Sequence, residues 1–313
     1  MAIKQFNYLV ALAREQHFGR AAAACNISQP TLSAAIRQLE AEMGVPIVER
    51  GYRFNGLTPE GQVVLEHAKR VLAEVDMLRQ NLDEMGSGLS GRLRFGVVPT
   101  ALPMMSLLTA PFYQRFPKVT ITVLSLNSHE IEQGIANFEL EAGVTYLDNE
   151  PLSHVRAKPL YTEDYVFLTK ANHTFADAAA MRWADAAELP LCLLTPDMQN
   201  RRIIDGVFRS VGKVPQPAME TNSIFNLCSH AAAGPWSSIV PRQLLHFFGL
   251  PQGTKALPLV EPVVGRTLGL IIADREPVSP LVRSLFAMTH PIDPTKMLRP
   301  PLSAEGLLPR QVP

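Results

Sequence analysis

Two short helical patterns separated by a very tight turn lie near the start of this 313-residue chain, and few folds accommodate such a pair. The first is the small-residue block from Arg20 to Cys25, which ends at Asn26, a residue that favours helix termination. The second begins at Ser28-Gln29-Pro30, where serine can cap the helix and proline is tolerated in its first turn. The spacing predicts a helix-turn-helix.

The second helix of this pair has two different faces. Its apolar stripe must pack inward and comprises Leu32, Ile36, Leu39 and Met43. Gln29, Ser33 and Arg37 follow one another at intervals of four residues and form an adjacent polar face. Glutamine can pair with adenine and arginine with guanine in the major groove, so this face is suited to reading base edges. A solvated helix face is the alternative interpretation of the same pattern.

An extended segment follows the two helices. From Val45 to Gly56 the sequence predicts a wing whose Arg50 and Arg53 contact phosphate. Ser28 and Thr31 are likewise expected mainly on the DNA backbone. The complete set of predicted DNA-binding residues is Ser28, Gln29, Pro30, Thr31, Ser33, Arg37, Arg50 and Arg53.

A long helix is predicted to begin at Thr58-Pro59-Glu60, a cap, a first-turn proline and an acid that suits the positive helix end. Its narrow apolar stripe at heptad spacing predicts pairing with the same helix of a second subunit. The predicted dimerisation residues are Val64, Ala68, Val71, Val75, Leu78 and Leu82. Packing of this stripe against its own domain is the alternative.

The long helix stops at the segment Gly86 to Gly91, which spells G-x-G-x-x-G. This segment follows a helix and precedes a strand, the reverse of a dinucleotide-binding turn, so a flexible hinge is predicted. From Arg92 onward strands alternate with helices, which predicts an α/β domain of mainly parallel sheets in two lobes. The predicted plan is a DNA-binding domain at 1–58, a linker helix and hinge at 59–91, a two-lobed domain at 92–291 and a poorly ordered tail at 292–313.

Composition and the other motifs exclude several classes of protein. Twenty-nine basic and 29 acidic side chains leave no net charge, and 47% apolar residues are typical of a globular chain. Cys25, Cys192 and Cys228 lack ligand spacing, so neither a disulfide nor a metal site is predicted. No signal-peptide or membrane-span pattern occurs, which favours a cytoplasmic protein. No catalytic motif stands in a suitable context, so we expect no enzyme and no catalytic residues.

Several of these motifs together resemble those of LysR-type transcriptional regulators. The N-terminal resemblance is carried by Phe18 to Ala22, Ile27 to Ser33, Ile36 to Glu40 and Leu57 to Gly61, within residues 2–70. Similarity at Gly96 to Thr100, Pro159 to Leu168, Glu220 to Ser223 and Ala233-Gly234 extends it to about residue 290. The departures from the family pattern are Cys25, Glu141 and Gly234-Pro235-Trp236, and the last of these bears on the shape of the pocket.

The resemblance implies a winged helix-turn-helix domain, a linker helix that pairs subunits, and a two-lobed effector domain similar to periplasmic binding proteins. Its lobes would comprise residues 92–163 with 266–291, and residues 164–265. The implied partners are double-stranded DNA with an interrupted palindromic operator, a small effector and other copies of the chain in a dimer of dimers. RNA polymerase is a further candidate partner. The alternatives are a soluble small-ligand sensor and an enzyme without a recognisable motif.

The effector site is expected between the lobes, outside the carboxyl ends of the parallel strands. Thr100, Ser128 and Thr195 stand at strand-to-helix junctions, where unpaired N–H groups favour a small anion, although their hydroxyls could serve only as helix caps. Arg201 or Arg202 would reinforce the positive charge. We therefore predict a small carboxylate or inorganic oxoanion as effector, and no cofactor. The predicted effector-binding residues are Thr100, Ala101, Ser128, Thr145, Thr195, Asn200 and Arg201.

Overall fold

The computed structural model describes residues 2–49, 54–86 and 88–293. The predicted phosphate contacts Arg50 and Arg53 lie outside these residues, as does the predicted tail from residue 294 onward. The chain divides into two compact units. The first comprises the chain up to Gly91 with the short segments Ala136–Glu139 and Ser279–Leu281, and the second comprises the rest from Arg92 onward. Within the described ranges, no helix is long and apolar enough to cross a membrane, and no group of His, Cys, Asp and Glu side chains could hold a metal ion.

In the described part of the first unit, four helices surround one apolar core. Leu9 and Leu12 of the first helix belong to the same buried cluster as Leu32 and Ile36 of the third, because each helix carries apolar residues at intervals of three or four. Met43 was predicted in the inward stripe but is exposed at the last turn of its helix. The helices are α1 (Ile3–Glu15), α2 (Phe18–Ala24), α3 (Gln29–Met43) and α4 (Pro59–Met85).

The turn between α2 and α3 is as short as predicted. Asn26 adopts a left-handed conformation with φ of 54°, which asparagine tolerates better than most residues. The N–H of Ile27 then donates to the carbonyl oxygen of Ala22 at 3.0 Å, and Ser28 caps α3. The two helices are therefore joined without a flexible loop.

The extended segment after α3 is tied to that helix by one carboxylate. Glu40 Oε1 accepts hydrogen bonds from the backbone N–H groups of Ile47 (2.8 Å) and Val48 (3.1 Å). Val48 also forms an antiparallel bridge with Leu57, which closes the base of the predicted wing. The glutamate that ends the I-x-x-L-E motif thus has a structural role.

The start of α4 is held against the same segment. Thr58 Oγ1 accepts from the N–H of Gly61 (2.9 Å) and donates to the carbonyl oxygen of Pro46 (2.6 Å). Gly61 packs directly on the backbone of Ile47, so that a Cβ atom at Gly61 would lie 2.0 Å from the Ile47 carbonyl oxygen. The motif L-T-x-x-G therefore combines a helix cap with a close approach of two backbones.

The apolar stripe of α4 divides into two parts. Ala68 is fully buried in the core of its own unit, so its predicted role in subunit pairing is wrong, and Val64 also packs against that core. Within this unit α4 packs mainly against α1. Leu78 and Leu82, in contrast, are 58% and 61% exposed. The stripe members outside the core that are at least partly exposed are Val71, Val75, Leu78 and Leu82.

The second unit is an α/β structure that follows the glycine-rich segment, in which Gly88 and Gly91 have φ angles of 86° and 124°. Its strands are β1 (Gly91–Val97), β2 (Val119–Ser125), β3 (Ala142–Tyr146), β4 (Val155–Lys170), β5 (Met181–Arg182), β6 (Leu191–Leu194), β7 (Met219–Thr221), β8 (Ser237–Pro241), β9 (Thr254–Val260) and β10 (Gly265–Ala273). Its α-helices are α5 (Met105–Arg115), α6 (Ser128–Ala136), α7 (Trp183–Ala186), α8 (Gln199–Ser210), α9 (Ile224–Ala233), α10 (Arg242–Phe248) and α11 (Pro280–Met288).

The sheet is mixed, which corrects the prediction of mainly parallel sheets. The strand order is β2-β1-β3-β10-β4-β8-β6-β7, with β9 paired to β4 and β5. β1 is parallel to β3 and β6 is parallel to both β7 and β8, whereas β4 and β10 run antiparallel to their neighbours. The cause is that β4 carries the chain out of one lobe and β10 carries it back. Neither β5 nor β9 was predicted, and Pro258 within β9 weakens the strand signal.

The two lobes share β4. Its residues up to Asp164 pair with β10, and from Tyr165 onward it pairs with β8 and then also with β9. This change of partners divides the sheet into a first lobe around β1, β3 and β10 and a second lobe around β6, β7 and β8. The two-lobed α/β architecture is thus as predicted.

Candidate DNA-binding surface and effector crevice

The polar face of α3 is open to solvent. Gln29 and Arg37 are exposed and Ser33 is partly exposed, whereas Leu32 and Ile36 on the other side of the helix are buried. Because the buried stripe fixes the rotation of α3 about its axis, the amide, hydroxyl and guanidinium groups form one outward row along the helix. Such a row provides the donors and acceptors that base edges require.

The N-terminus of α3 is also exposed. Ser28 Oγ accepts from the N–H of Thr31 (3.3 Å) and is hydrogen-bonded to the Thr31 hydroxyl (2.8 Å). Pro30 occupies the first turn and is exposed. Two hydroxyl groups therefore lie at the positive end of a helix, an arrangement suited to a phosphate group.

In the second unit, side chains at the carboxyl end of β3 in one lobe contact side chains at the start of α8 in the other. Thr145 in β3 donates from Oγ1 to Oε1 of Gln199 at the start of α8 (3.1 Å). The next residue, Tyr146, accepts at its hydroxyl oxygen from Nδ2 of Asn200 (3.0 Å). Because β3 belongs to the first lobe and α8 to the second, these hydrogen bonds span the crevice between the lobes.

A buried hydrogen-bond network surrounds the Tyr146 hydroxyl. Tyr146 donates to Oε1 of Glu163 at 2.5 Å, and its oxygen is 2.9 Å from Thr100 Oγ1. Asn200 Nδ2 lies 3.4 Å from the same Glu163 oxygen. The network joins the predicted residues Thr100 and Asn200 through two residues, Tyr146 and Glu163, that sequence reasoning missed.

Glu163 is a fully buried carboxyl group at the point where β4 passes between the lobes. Burial raises the pKa of this carboxyl to about 7, against the opposing effect of the hydrogen bond from Tyr146. Glu163 Oε2 and Asn200 Oδ1 have no hydrogen-bond partner within the described part of the chain. The floor of the crevice therefore holds a titratable group with unused hydrogen-bonding capacity.

Arg202 connects the lobes at a second place. Its Nε and Nη2 donate to the two carboxylate oxygens of Glu150 (2.6 and 2.8 Å), and Nη2 also donates to Ser128 Oγ (3.0 Å). Nη1 donates to the carbonyl oxygens of Asp197 (2.7 Å) and Pro196 (3.3 Å). Ser128 was predicted at this crevice, and its partner is the side chain of Arg202 rather than a helix N–H.

Arg201 does not contribute to the crevice, contrary to the prediction. Its Nε pairs with Asp205 (2.9 Å), its Nη1 pairs with Glu220 (2.6 Å), and its side chain is only 8% exposed. Nη1 also donates to the carbonyl oxygen of Leu194 (2.7 Å). The side chain is directed toward β6 and β7 of its own lobe, where two carboxylates neutralise its charge.

Of two other predicted positions, Ala101 differs from the expectation and Thr195 does not. Ala101 and Thr100 lie in a short 3₁₀ helix, Pro99–Met104, and the N–H of Ala101 donates to Val98, so it offers no free donor to an anion. Thr195 lies at its strand-to-helix junction as predicted. Its Oγ1 is buried and has no hydrogen-bond partner among the residues that the structure describes.

Four residues of the crevice were missed by sequence reasoning. Tyr146 directly follows the predicted Thr145, and Glu163 is an acidic residue near the middle of β4. Either residue was therefore only weakly indicated by the sequence. Gln199 precedes the predicted Asn200 at a helix start. Glu150 lies in the loop between β3 and β4 and left no signal, because its contact depends on a helix of the other lobe.

The departure at Gly234-Pro235-Trp236 affects the packing of the second lobe. The indole of Trp236 covers Gly234 so closely that a Cβ atom there would lie 2.1 Å from the ring, and the same ring is 5.6 Å from the His230 ring. Trp236 packs against the buried cluster that includes Leu227 and Val240. The residue that differs from the family pattern therefore fills space within its own lobe.

A helix-turn-helix domain with an exposed polar recognition helix, joined to a two-lobed α/β domain with a polar crevice, defines a ligand-responsive DNA-binding regulator. Comparison with known proteins agrees. Residues 3–62 match the model for the bacterial regulatory helix-turn-helix protein of the lysR family, and residues 86–291 match that for the LysR substrate binding domain. The chain therefore belongs to the LysR family of transcriptional regulators.

Individual relatives cover almost the whole chain. The DNA-binding transcriptional dual regulator OxyR of Escherichia coli is 30% identical over 90% of this chain and 91% of its own. Among solved structures, a Cys→Asp variant of full-length OxyR from Pseudomonas aeruginosa has a TM-score of 0.71 at 26% identity, covering 92% of this chain and 93% of its own. CbnR in complex with its target DNA has a TM-score of 0.68 at 20% identity, covering 92% and 99%, and shows the shared fold.

Proposed function

We propose that this regulator binds an interrupted palindromic operator as a homo-oligomer, and that a small carboxylate or inorganic oxoanion in the crevice controls it. The observation that carries the effector site is the set of hydrogen bonds between the lobes, in which Thr145 donates to Gln199 and Asn200 donates to Tyr146. A ligand that enters between these groups changes the separation of the lobes, because it replaces contacts that now hold them together. Isothermal titration calorimetry with the full-length protein and a panel of anionic, neutral and cationic small molecules tests the ligand class. Binding of neutral or cationic molecules alone would contradict it.

DNA recognition is assigned to the outward row of α3. Gln29, Ser33 and Arg37 would contact base edges, while Ser28 and Thr31 at the helix start would contact phosphate. A related regulator, CbnR, has been solved with its target DNA. Two subunits would place two copies of α3 on successive major grooves, which explains why the operator should be palindromic.

Replacing Arg37 by alanine is expected to weaken operator binding by about 1–3 kcal/mol while affecting unrelated DNA much less, because a bidentate contact to guanine is sequence-specific. Fluorescence anisotropy with operator and scrambled duplexes at fixed salt measures both affinities. Arg182→Ala removes the same charge from an exposed position in the second unit and serves as the control. An unchanged ratio of the two affinities in Arg37→Ala would contradict a base contact by Arg37.

Subunit pairing is assigned to the part of α4 beyond Ala68. Leu78 and Leu82 are large, apolar and exposed at heptad spacing, which favours burial against an identical helix. A dimer of two such pairs is the proposed assembly on DNA. The occupant of this surface is therefore a second copy of the chain.

The double variant Leu78→Asp with Leu82→Asp is expected to dissociate the pair, because it places two like charges from each subunit in the seam. Size-exclusion chromatography with light scattering should show a fall to a smaller species and a loss of operator binding. Asn81→Asp adds a charge at a neighbouring exposed position and should leave the assembly intact. An unchanged mass for the double variant would place the dimer interface elsewhere.

Several relatives are called hydrogen peroxide-inducible genes activators. We do not propose peroxide sensing for this protein, because of the state of its cysteines. The reactive form of cysteine toward oxidants is the thiolate. Burial raises the pKa of the Cys192 and Cys228 thiols to about 11, and it also raises that of Cys25. These shifts all disfavour the thiolate, so the three cysteines are poorly suited to a fast reaction with peroxide.

A further inference from the structure

The contact between Arg202 and Glu150 has the geometry of a bound carboxylate. Both oxygens of Glu150 accept from one edge of the guanidinium, at 2.6 Å from Nε and 2.8 Å from Nη2. This parallel two-bond arrangement is the one in which arginine recognises carboxylate ligands. Glu150 comes from a loop of the first lobe and Arg202 from a helix of the second, so the pair closes across the crevice.

The guanidinium is positioned by groups other than Glu150. Nη1 is held by the carbonyl oxygens of Asp197 and Pro196, and Nη2 also donates to Ser128. Removal of the Glu150 carboxylate would therefore leave two N–H donors directed at the same space. The Arg202 side chain would therefore bind an external anion with little change of conformation.

The pair is also open to solvent. The side chains of Arg202 and Glu150 are 28% and 26% exposed, whereas that of Arg201, one residue earlier, is 8% exposed and pairs with two carboxylates of its own lobe. A partly exposed ion pair contributes little net stability and can be exchanged for another. Arg202 is thus accessible to a small anion in a way that Arg201 is not.

We propose that Arg202, with Ser128, is a carboxylate-binding site that spans the two lobes, and that Glu150 is its built-in occupant and competitor. A small carboxylate that binds there replaces Glu150 on the same two donors and releases the β3–β4 loop from the second lobe. This inference rests on the proposed function, since it adds Arg202 and Ser128 to the residues that hold the effector and the Arg202–Glu150 pair to the contacts that the effector breaks.

Titration of the full-length protein with acetate in low-chloride buffer tests the proposal, with acetamide as an uncharged probe of the same shape. Glu150→Ala should bind acetate roughly five- to tenfold more tightly than the unchanged protein, because the tethered competitor is absent. Adding Arg202→Gln to Glu150→Ala should abolish that gain. Glu276→Gln removes an exposed carboxylate that pairs with Arg156 outside the crevice and should change nothing.

Equal acetate affinity in Glu150→Ala and the unchanged protein, with circular dichroism showing both folded, would overturn the proposal and leave Glu150 as a lobe-to-lobe tie only. Operator binding measured with and without acetate separates this result from the proposed function. If acetate binds through Arg202 but operator binding does not respond, the site exists and its regulatory role fails. If another anion controls operator binding equally well in Glu150→Ala, in Arg202→Gln and in the unchanged protein, the proposed function stands and this site is excluded.

Discussion

Gly61→Ala is expected to disrupt the helix-turn-helix domain and to abolish operator binding. A Cβ atom at this position would lie 2.0 Å from the Ile47 carbonyl oxygen and 2.8 Å from its carbon, and neither can move without shifting the extended segment. Substitutions that force a side chain against a rigid backbone are among the most destabilising. We therefore expect Gly61→Ala to lower the free energy of unfolding by at least about 3 kcal/mol. Circular dichroism and anisotropy with operator DNA measure the two effects.

Gly44→Ala is the matched control for this substitution. Gly44 ends α3 with a φ of 72° and has no atom within 4 Å of its notional Cβ, so alanine there costs only the left-handed conformation, about 1–2 kcal/mol. Both tryptophans, Trp183 and Trp236, lie in the second unit, and their fluorescence should remain native in both variants. Equal stability of the two variants would contradict the close approach at Gly61.

Glu163→Gln is expected to stabilise the protein at pH 8 and to have little effect at pH 4.5. Burial raises the pKa of the Glu163 carboxyl from 4.5 to about 7, so the folded state holds its proton more tightly than the unfolded state. The stability linked to this group is complete below pH 4.5 and is lost as the pH rises through 7. At pH 8 the ionised carboxylate destabilises the fold by about 3 kcal/mol, and glutamine, which stays neutral, avoids that loss.

Chemical unfolding of Glu163→Gln and of the unchanged protein at both pH values measures the difference. Other titrating groups are common to the two proteins and cancel in the comparison. Glu276→Gln neutralises an exposed carboxylate and should show no such pH-dependent gain. A Glu163→Gln variant that is less stable by the same amount at both pH values would mean that the carboxylate matters only as a hydrogen-bond acceptor for Tyr146.

The sequence predicted best those features that depend only on residues adjacent in the chain, such as helix ends. The cap at Ser28, the stop at Asn26 and the proline after the cap of α4 are local signals, and each corresponds to a helix end in the structure. The division of the α4 stripe could not be predicted in the same way. Ala68 and Leu82, fourteen residues apart, occupy equivalent heptad positions, and only the apolar core of the first unit around Ala68 distinguishes them.

The residues of the crevice were harder to predict, because most of their contacts join parts of the chain that are distant in sequence. Strand-to-helix junctions located Thr100, Ser128 and Asn200, because the carboxyl ends of parallel strands share one edge of a sheet. The choice between Arg201 and Arg202 depended on the rotation of α8, which the sequence pattern left undetermined, and Arg201 proved to be paired within its own lobe. Tyr146 and Glu163 meet only because β3 and β4 lie on either side of β10, a non-local pairing.

The continuity of β4 through both lobes has a consequence for how such regulators diversify. The boundaries of the second lobe, near Asp164 and Gly265, fall at residues that pair with each other in adjacent strands. Recombination that exchanged this lobe between relatives would have to join foreign strand halves at both points without losing their register. New ligand preferences in this protein's lineage should therefore arise by point substitution along the crevice rather than by shuffling of lobes.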